Sequence, residues 1–207
     1  MKVLELFSGT ESFTNVAKEF GMETFTVDFE DKFNPDLCID ILKLKIEDIP
    51  FTPDVIWASP PCQCFSVATI GRYWNENYTP KNEKTETALK ILYKTVELIR
   101  QLKPKYWFIE NPRAMMRKMP IMRNFLRQTV TYCQYGEKYM KPTDIWTNFY
   151  GWKPRPVCKN GMPCHESAPR GSNTGVQGIK GSDKRAIVPY ELCKEIIGLI
   201  NEKEDNK

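Results

Sequence analysis

Hydrophobic and polar positions along the chain switch repeatedly between a two-residue period and a 3.6-residue period. Residues 2 to 7 (Lys-Val-Leu-Glu-Leu-Phe) predict a strand that enters a loop at Ser8-Gly9-Thr10. Phe13, Val16, Ala17 and Phe20 then fall at i, i+3, i+4 and i+7, one apolar stripe of a helix, and Gly21 supplies its stop. Residues 23 to 28 alternate polar and apolar as a second strand ending in Asp28, followed by a loop marked by Asn34-Pro35. Residues 54 to 58 form a short buried strand running straight into Ser59-Pro60-Pro61-Cys62. From Glu83 to Leu102 the positions Leu89, Leu92, Val96, Ile99 and Leu102 describe a long amphipathic helix, stopped by Pro104. Tyr106-Trp107-Phe108-Ile109 is a fully apolar strand that delivers Glu110-Asn111-Pro112. Further strands are expected at 129 to 134 and 144 to 149, whereas 151 to 186 is rich in Gly, Pro, Ser and charge and has no clear period. Pro189 opens a last helix with Leu192, Cys193, Ile196, Ile197 and Ile200 on one face, and residues 202 to 207 read as a polar tail that frays.

Strands alternating with helices imply an α/β fold, a mainly parallel sheet with helices on both faces, whose ligands bind outside the carboxyl ends of the strands. Three loops of interest sit at such ends: Phe7 to Glu11, Ser59 to Ser66 and Glu110 to Arg113. The 207 residues, 41% hydrophobic, suit one compact domain, residues 1 to 207, with at most a modest insertion. There are no internal repeats.

Composition narrows the setting. The first residues lack the long apolar stretch of a secretory signal, and no segment approaches the roughly 20 apolar residues that span a bilayer. A soluble, cytoplasmic protein without a membrane partner is expected. Seven cysteines, an odd number spread from Cys38 to Cys193, read as reduced thiols rather than a disulfide framework. The net charge of +4 is mild, but basic residues thicken between Lys138 and Arg185, among Trp146, Tyr150 and Trp152. That mixture suits a polyanion with stackable bases, and equally a solvated basic loop.

Cys62 follows two prolines that stiffen the backbone, and Gln63 and Ser66 can add polar contacts around it. By itself a cysteine at a strand end is as readily a small buried hydrophobe. Glu110 at the end of a second strand changes the picture, because a thiol beside a carboxyl group suits attack on an electron-poor ring. Cysteine hydrolases instead pair the thiol with a histidine, and the one histidine here, His165, lies in the irregular stretch.

These residues carry a resemblance. Pro61-Cys62-Gln63 with Phe65-Ser66 resembles the nucleophile motif of the cytosine-5 DNA methyltransferases, and Glu110-Asn111 resembles their glutamate motif. Leu6-Phe7-Ser8-Gly9 is similar to the cofactor loop, Asp28 to the acid that binds the ribose hydroxyls, and Asp40-Ile41 to the pair that contacts adenine. The stretch from Ala186 to Ile200 resembles the final helix that returns beside the first motif. The likeness runs in order through about residues 2 to 148 and is closest to the compact versions that bacteriophages carry. Departures are local: Glu11 and Ser12 stand where further glycines are usual, Glu5 where an aspartate is, and the arginine-containing motif has no clear match.

The resemblance implies a Rossmann-like S-adenosylmethionine-dependent methyltransferase fold, with a catalytic core over about 1 to 148, a C-terminal helix over 186 to 201, and a much reduced target-recognition insertion over about 149 to 182. It implies methyl transfer from S-adenosyl-L-methionine to carbon 5 of cytosine in DNA, on a base flipped out of the duplex. Cys62, Glu110, Gln63 and Asn111 would be catalytic. Phe7, Ser8, Gly9, Thr10, Asp28, Asp40, Ile41 and Pro60 would hold the cofactor, and Ser66, Arg113, Lys141 and Thr143 would contact DNA. A monomer encoded by a phage or prophage and acting in a bacterial cytoplasm is the corresponding expectation. The same chemistry on RNA or a free cytidine nucleotide, and a catalytically silent nucleic-acid binder, are the competing readings. Within the insertion, Cys158, Cys164 and His165, with Cys133 as a fourth, read either as zinc ligands or as free thiols in a loop, and no metal is counted among the site residues. Cys64 reads as packing.

Overall fold

The computed structural model describes residues 1–66, 71–167 and 181–206. Part of the expected recognition insertion, residues 168–180, lies outside the described residues. Seven strands form one sheet: β1 (Lys2–Leu6), β2 (Glu23–Asp28), β3 (Leu37–Cys38), β4 (Val55–Ala58), β5 (Tyr106–Pro112), β6 (Leu126–Thr131) and β7 (Pro142–Thr147). Their order across the sheet is β3-β2-β1-β4-β5-β7-β6. The first five strands run parallel, and β7 enters antiparallel between β5 and β6. The α-helices are α1 (Ser12–Glu19), α2 (Glu83–Leu102), α3 (Ser182–Ala186) and α4 (Tyr190–Asp205).

Two apolar layers follow from the period of two within each strand. Leu4, Leu6, Ile56, Ala58, Trp107 and Ile109 face the layer that holds Leu92, Val96 and Ile99 of α2. Val3, Val55, Trp57 and Phe108 face the opposite layer, with Phe13 and Val16 of α1 and Leu192, Ile196 and Ile200 of α4. Strands buried on both faces read as continuous apolar runs, as a parallel sheet requires. Phe13 stacks on Trp57 at 4.6 Å between centroids, and Trp57 on Phe108 at 5.9 Å, which fixes α1 over the centre of the sheet. The C-terminal segment closes against α1: the Val188 amide donates to Ser12 Oγ at 3.1 Å and the Tyr190 hydroxyl to Glu19 at 2.7 Å.

Several boundaries differ from the sequence expectation. β5 extends through Pro112, so Glu110 and Asn111 lie within the strand and not past its end, because β7 pairs with it through Asn111↔Asp144 and Pro112↔Thr143. β6 ends at Thr131, and Tyr132–Tyr135 forms a 3-10 turn closed by Gly136 at φ +93°. β7 begins two residues earlier than expected, at Pro142. The short β3 and α3 fall in stretches read as loop. The tail does not fray at residue 202, since α4 continues to Asp205, where Glu204 accepts from the Tyr106 hydroxyl at 2.8 Å.

Candidate active site

The carboxyl ends of β1, β2 and β4 surround a cavity of about 600 Å³. Phe7, at φ +60°, ends β1 by turning the chain through the left-handed region, a conformation that a non-glycine residue adopts at a cost. The turn puts Ser8, Gly9 and Thr10 on the cavity wall. Asp28 holds this loop closed: one carboxylate oxygen accepts from the Gly9 amide and the other from the Glu30 amide, both at 2.9 Å. Each of those oxygens keeps a second lone pair for a ligand. Asp40, whose Oδ1 accepts from the Leu42 amide at 3.0 Å, and Ile41 line the far wall. Beneath the loop, buried Glu5 accepts from the amides of Phe13 at 3.4 Å and Thr14 at 2.7 Å, so it caps the start of α1 from the adjoining strand. Burial pushes its carboxyl up to about 7.

Cys62 stands on the same cavity, in a loop pinned at both ends. The Ser59 amide donates to the Leu6 carbonyl at 3.2 Å, and the Asn111 side-chain amide donates to the Pro60 carbonyl at 2.8 Å. Beyond the thiol, the amides of Phe65 and Ser66 return to the Cys62 carbonyl at 2.9 and 3.0 Å, and buried Phe65 packs against Trp74 at 5.4 Å. The Trp74 indole donates to the carbonyl of Cys64, which is buried as packing. Burial and the neighbouring Glu110 carboxylate raise the Cys62 thiol, while the cations Lys141 and Arg185 pull it down; the net direction is up.

Glu110, also buried, lines the cavity from β5. Burial raises its carboxyl, opposed by the Lys141 charge and by hydrogen bonds from Tyr132 and Ser59. The Tyr132 hydroxyl donates to Glu110 Oε1 at 3.1 Å. Burial and the nearby carboxylate push this phenol well above its ordinary value, so it stays a donor. Lys141, at φ +28°, lies with Nζ 4.4 Å from the Tyr132 ring centroid and donates to the Arg185 carbonyl at 2.7 Å. A buried ammonium and a carboxyl thus face one pocket beside a thiol, with the Tyr132 phenol set behind the carboxyl.

All eight expected cofactor residues line this one cavity, together with Cys62, Gln63, Glu110 and Lys141. Asn111 lies beneath the wall and positions Pro60. Arg113 is exposed, its amide donating to the Pro142 carbonyl at 2.9 Å. Ser66 is half-buried at the end of the Cys62 turn. Thr143 is fully buried within β7 and its hydroxyl donates to the Lys141 carbonyl at 3.1 Å, so the structure places it behind Lys141 and not on a DNA-facing surface. Sequence reasoning missed Tyr132, Arg185, Glu30 and Phe29. The first gave no signal because it resembled a strand position. Phe29, 63% exposed directly after β2, was visible as an aromatic beside the acidic strand end.

The wall fits an adenosine-bearing ligand. Ser8 Oγ is buried without a partner among the described residues, and an unpaired buried hydroxyl is costly unless a ligand engages it. Asp28 and Glu30 offer acceptors to ribose hydroxyls, and Phe29 and Ile41 offer apolar faces to a purine.

The family described as C-5 cytosine-specific DNA methylase matches residues 1–131. A relative from Frog virus 3 (isolate Goorha), named "Probable DNA (cytosine-5)-methyltransferase", is 32% identical over 96% of this chain and 100% of its own length. Among solved structures, a prophage-encoded E. coli protein assigned as a DNA modification methyltransferase shares the fold with a TM-score of 0.53 at 18% identity, over 71% of this chain and 46% of its own. The S. pombe Dnmt2 methyltransferase does so with a TM-score of 0.51 at 15% identity, over 74% of this chain and 51% of its own. The chain therefore spans about half the length of these solved proteins and all of the viral relative. Among the described residues, no helix is long and apolar enough to cross a membrane.

Proposed function

Since this chain is a member of the C-5 cytosine-specific DNA methylase family, and so a methyltransferase enzyme, we propose that it methylates carbon 5 of cytosine in DNA through a covalent Cys62 adduct. The observation that carries this reading is the convergence of Cys62, Glu110 and Lys141 on the cavity whose other wall is the Phe7 to Thr10 loop with Asp28. In this reading the chain acts as one domain, with residues 149 to 182 standing for the recognition segment.

S-adenosylmethionine, when bound, supplies an electrophilic methyl on a sulfonium. Ser8, Gly9, Thr10 and Asp28 would hold its polar groups, Asp40 and Ile41 its adenine, and Phe7 and Pro60 the wall facing the cytosine. Carbon 5 of cytosine is a poor nucleophile until a thiolate adds at carbon 6, which turns it into an enamine carbon. Cys62, its proton passed to water as the thiolate forms, makes that bond, and its fixed turn holds the sulfur where the ring must arrive. Glu110 donates a proton toward ring nitrogen 3 and accepts from the exocyclic amine. Its raised carboxyl suits the donor role, and the stabilised charge exists only as the thiolate adds. The same pair of hydrogen bonds selects cytosine over thymine. Lys141 favours the thiolate, a part open because the family's arginine motif has no match here. After methyl transfer the carbon 5 proton leaves to water, the carbon 6 to sulfur bond breaks, the nitrogen 3 proton returns to Glu110, and Cys62 leaves as the thiolate.

A cytosine stacked in a duplex is out of reach of a side chain on the cavity wall. The base must swing out, at a cost of a few kcal/mol offset by phosphate and stacking contacts. Gln63, exposed on the cavity wall, exposed Arg113 and half-buried Ser66 would meet the strand.

The test is trapping. DNA containing 5-fluorocytosine, incubated with the protein and S-adenosylmethionine, should give a denaturation-resistant complex whose adduct maps to Cys62, because fluorine cannot leave as a cation. Tritium transfer from the donor to duplex DNA should exceed transfer to single strands or RNA. A folded, donor-bound sample that transfers tritium without an adduct overturns the covalent step; transfer only to RNA overturns the substrate.

A further inference from the structure

Residues 151 to 167 contain no helix or strand, yet their two halves are held very differently. The first half is anchored by the core. Trp152 is fully buried and its indole donates to Glu195 at 3.0 Å, and Arg155 reaches the same carboxylate at 2.9 Å. The second half has almost no apolar support, since Val157 is 53% exposed and Met162 50% exposed. So short a coreless segment ordinarily needs a cross-link.

At that place four side chains converge. Cys133, on the turn after β6, and Cys158, Cys164 and His165, on the loop, bring their ligand atoms within 4.8 Å of one another. We propose that Cys133, Cys158, Cys164 and His165 form a structural zinc site that staples this loop to the turn after β6.

Distances support four-coordination. Tetrahedral zinc with bonds of about 2.3 Å to sulfur and about 2.0 Å to nitrogen sets S···S near 3.8 Å and S···N near 3.5 Å. Cys164 Sγ lies 3.8 Å from Cys133 Sγ, and His165 Nδ1 lies 3.5 Å from Cys158 Sγ and 3.6 Å from Cys164 Sγ. Cys158 and Cys164 are closer, 3.1 Å, and this pair would widen on binding. The backbone already holds the ligands in place: the Cys158 amide donates to Thr131 Oγ1 at 2.9 Å, the Glu166 amide to the Lys138 carbonyl at 2.8 Å, and Gly161, at φ +86°, turns the loop between the two cysteines. The Gln134 amide approaches Cys164 Sγ at 3.6 Å, the kind of outer contact that orients a ligand.

Three thiolates and an imidazole fill a tetrahedron, leaving no position for water, so the site is structural. Binding exchanges three thiol protons for one Zn²⁺ and needs no redox partner. Its consequence reaches the catalytic cavity through one peptide bond. Cys133 follows Tyr132, the donor to Glu110, so a metal that immobilises the turn also immobilises that hydroxyl.

The experiment is metal analysis of untagged protein, loaded with one equivalent of zinc and passed over a chelating resin. One zinc per chain is expected. Cobalt exchanged into the wild-type protein should give the thiolate charge-transfer band and intense visible bands of a tetrahedral sulfur-rich site. Cys158→Ser and Cys164→Ser should each lower retained zinc by about fivefold or more, while Cys38→Ser retains one equivalent. The wild-type cobalt spectrum decides the matter even if a serine variant folds poorly. Metal-free protein after loading, an octahedral cobalt spectrum, zinc retained by the Cys158→Ser, Cys164→Ser double variant, or a Cys158–Cys164 disulfide in freshly reduced protein would each overturn the site.

Discussion

The Tyr132 hydroxyl donates to Glu110 Oε1 at 3.1 Å, inside a wall where both groups are buried. That donor occupies one lone pair of Oε1 and fixes how the carboxyl is presented to the substrate. Tyr132→Phe keeps the ring and removes the donor. We expect methyl transfer to slow about tenfold, the worth of roughly 1.4 kcal/mol from one buried hydrogen bond, with donor affinity nearly unchanged. Single-turnover rates and isothermal titration with S-adenosylmethionine check the two halves separately. An equal loss in both would mean that the hydroxyl supports the fold instead.

Lys141 is the cation closest in effect to both reacting groups, lowering the Cys62 thiol and the Glu110 carboxyl against burial. A positive charge stabilises each ionised form, so removing it must raise both. Lys141→Met should move the midpoint for Cys62 alkylation by iodoacetamide to higher pH. The peptide carrying Cys62 is followed by mass spectrometry, since other thiols, such as that of Cys38, are also exposed. A midpoint that stays in place or falls would remove Lys141 from the electrostatics of the site.

The parts of this site that announce themselves in the sequence are those that a parallel sheet must bring together. Phe7 to Thr10, Asp28, Pro60 and Cys62 all lie at or just past strand ends, and parallel strands end on one side, so their convergence follows from periodicity alone. Lys141 and Arg185 reach the cavity, and Tyr132 the back of Glu110, by other routes. β7 inserts antiparallel between β5 and β6, which places Lys141 and the turn after β6 over Glu110. Nothing local encodes that strand exchange. The turn also disguises itself, because Val130, Tyr132 and Cys133 look like a continuing strand until Gly136 is seen to close a 3-10 turn. The left-handed conformations at Phe7 and Lys141 were equally hidden, since neither residue type favours positive φ.

Glu5 supplies a pH signature of the fold. Its carboxyl has an ordinary value near 4.5 and is pushed to about 7 when folded, by burial. Between those values the folded state binds the extra proton, so this contribution is fully present below about pH 4.5 and is lost as pH rises through 7. The span corresponds to roughly 3 kcal/mol. Glu5→Gln cannot ionise and still offers an acceptor to the Thr14 amide. Urea unfolding at pH 5 and pH 8 should show the variant gaining on the wild type by about that amount at the higher pH. A constant difference between the two proteins would mean that Glu5 is ionised throughout.

Asp144 and Arg117 bind the turn after β5 to β7. Asp144 is fully buried, opposite Asn111 in the sheet register, and its carboxylate accepts from Arg117 Nε at 2.8 Å, from a second guanidinium nitrogen, and from the Thr129 hydroxyl at 2.8 Å. Removing either ion leaves the other without its partner, the carboxylate fully buried, the guanidinium only partly. Arg117→Ala should therefore cost about 3 to 5 kcal/mol, mostly from the buried carboxylate left behind, and Asp144→Ala less, since the stranded guanidinium reaches solvent. The double variant leaves no charge to strand and should cost well under the sum, since contacting residues do not act independently. Chemical denaturation of all four proteins gives the coupling. Additive losses would show that the pair is solvated in solution, and β7 would then owe its place beside Glu110 to the strand ladder and its apolar neighbours alone.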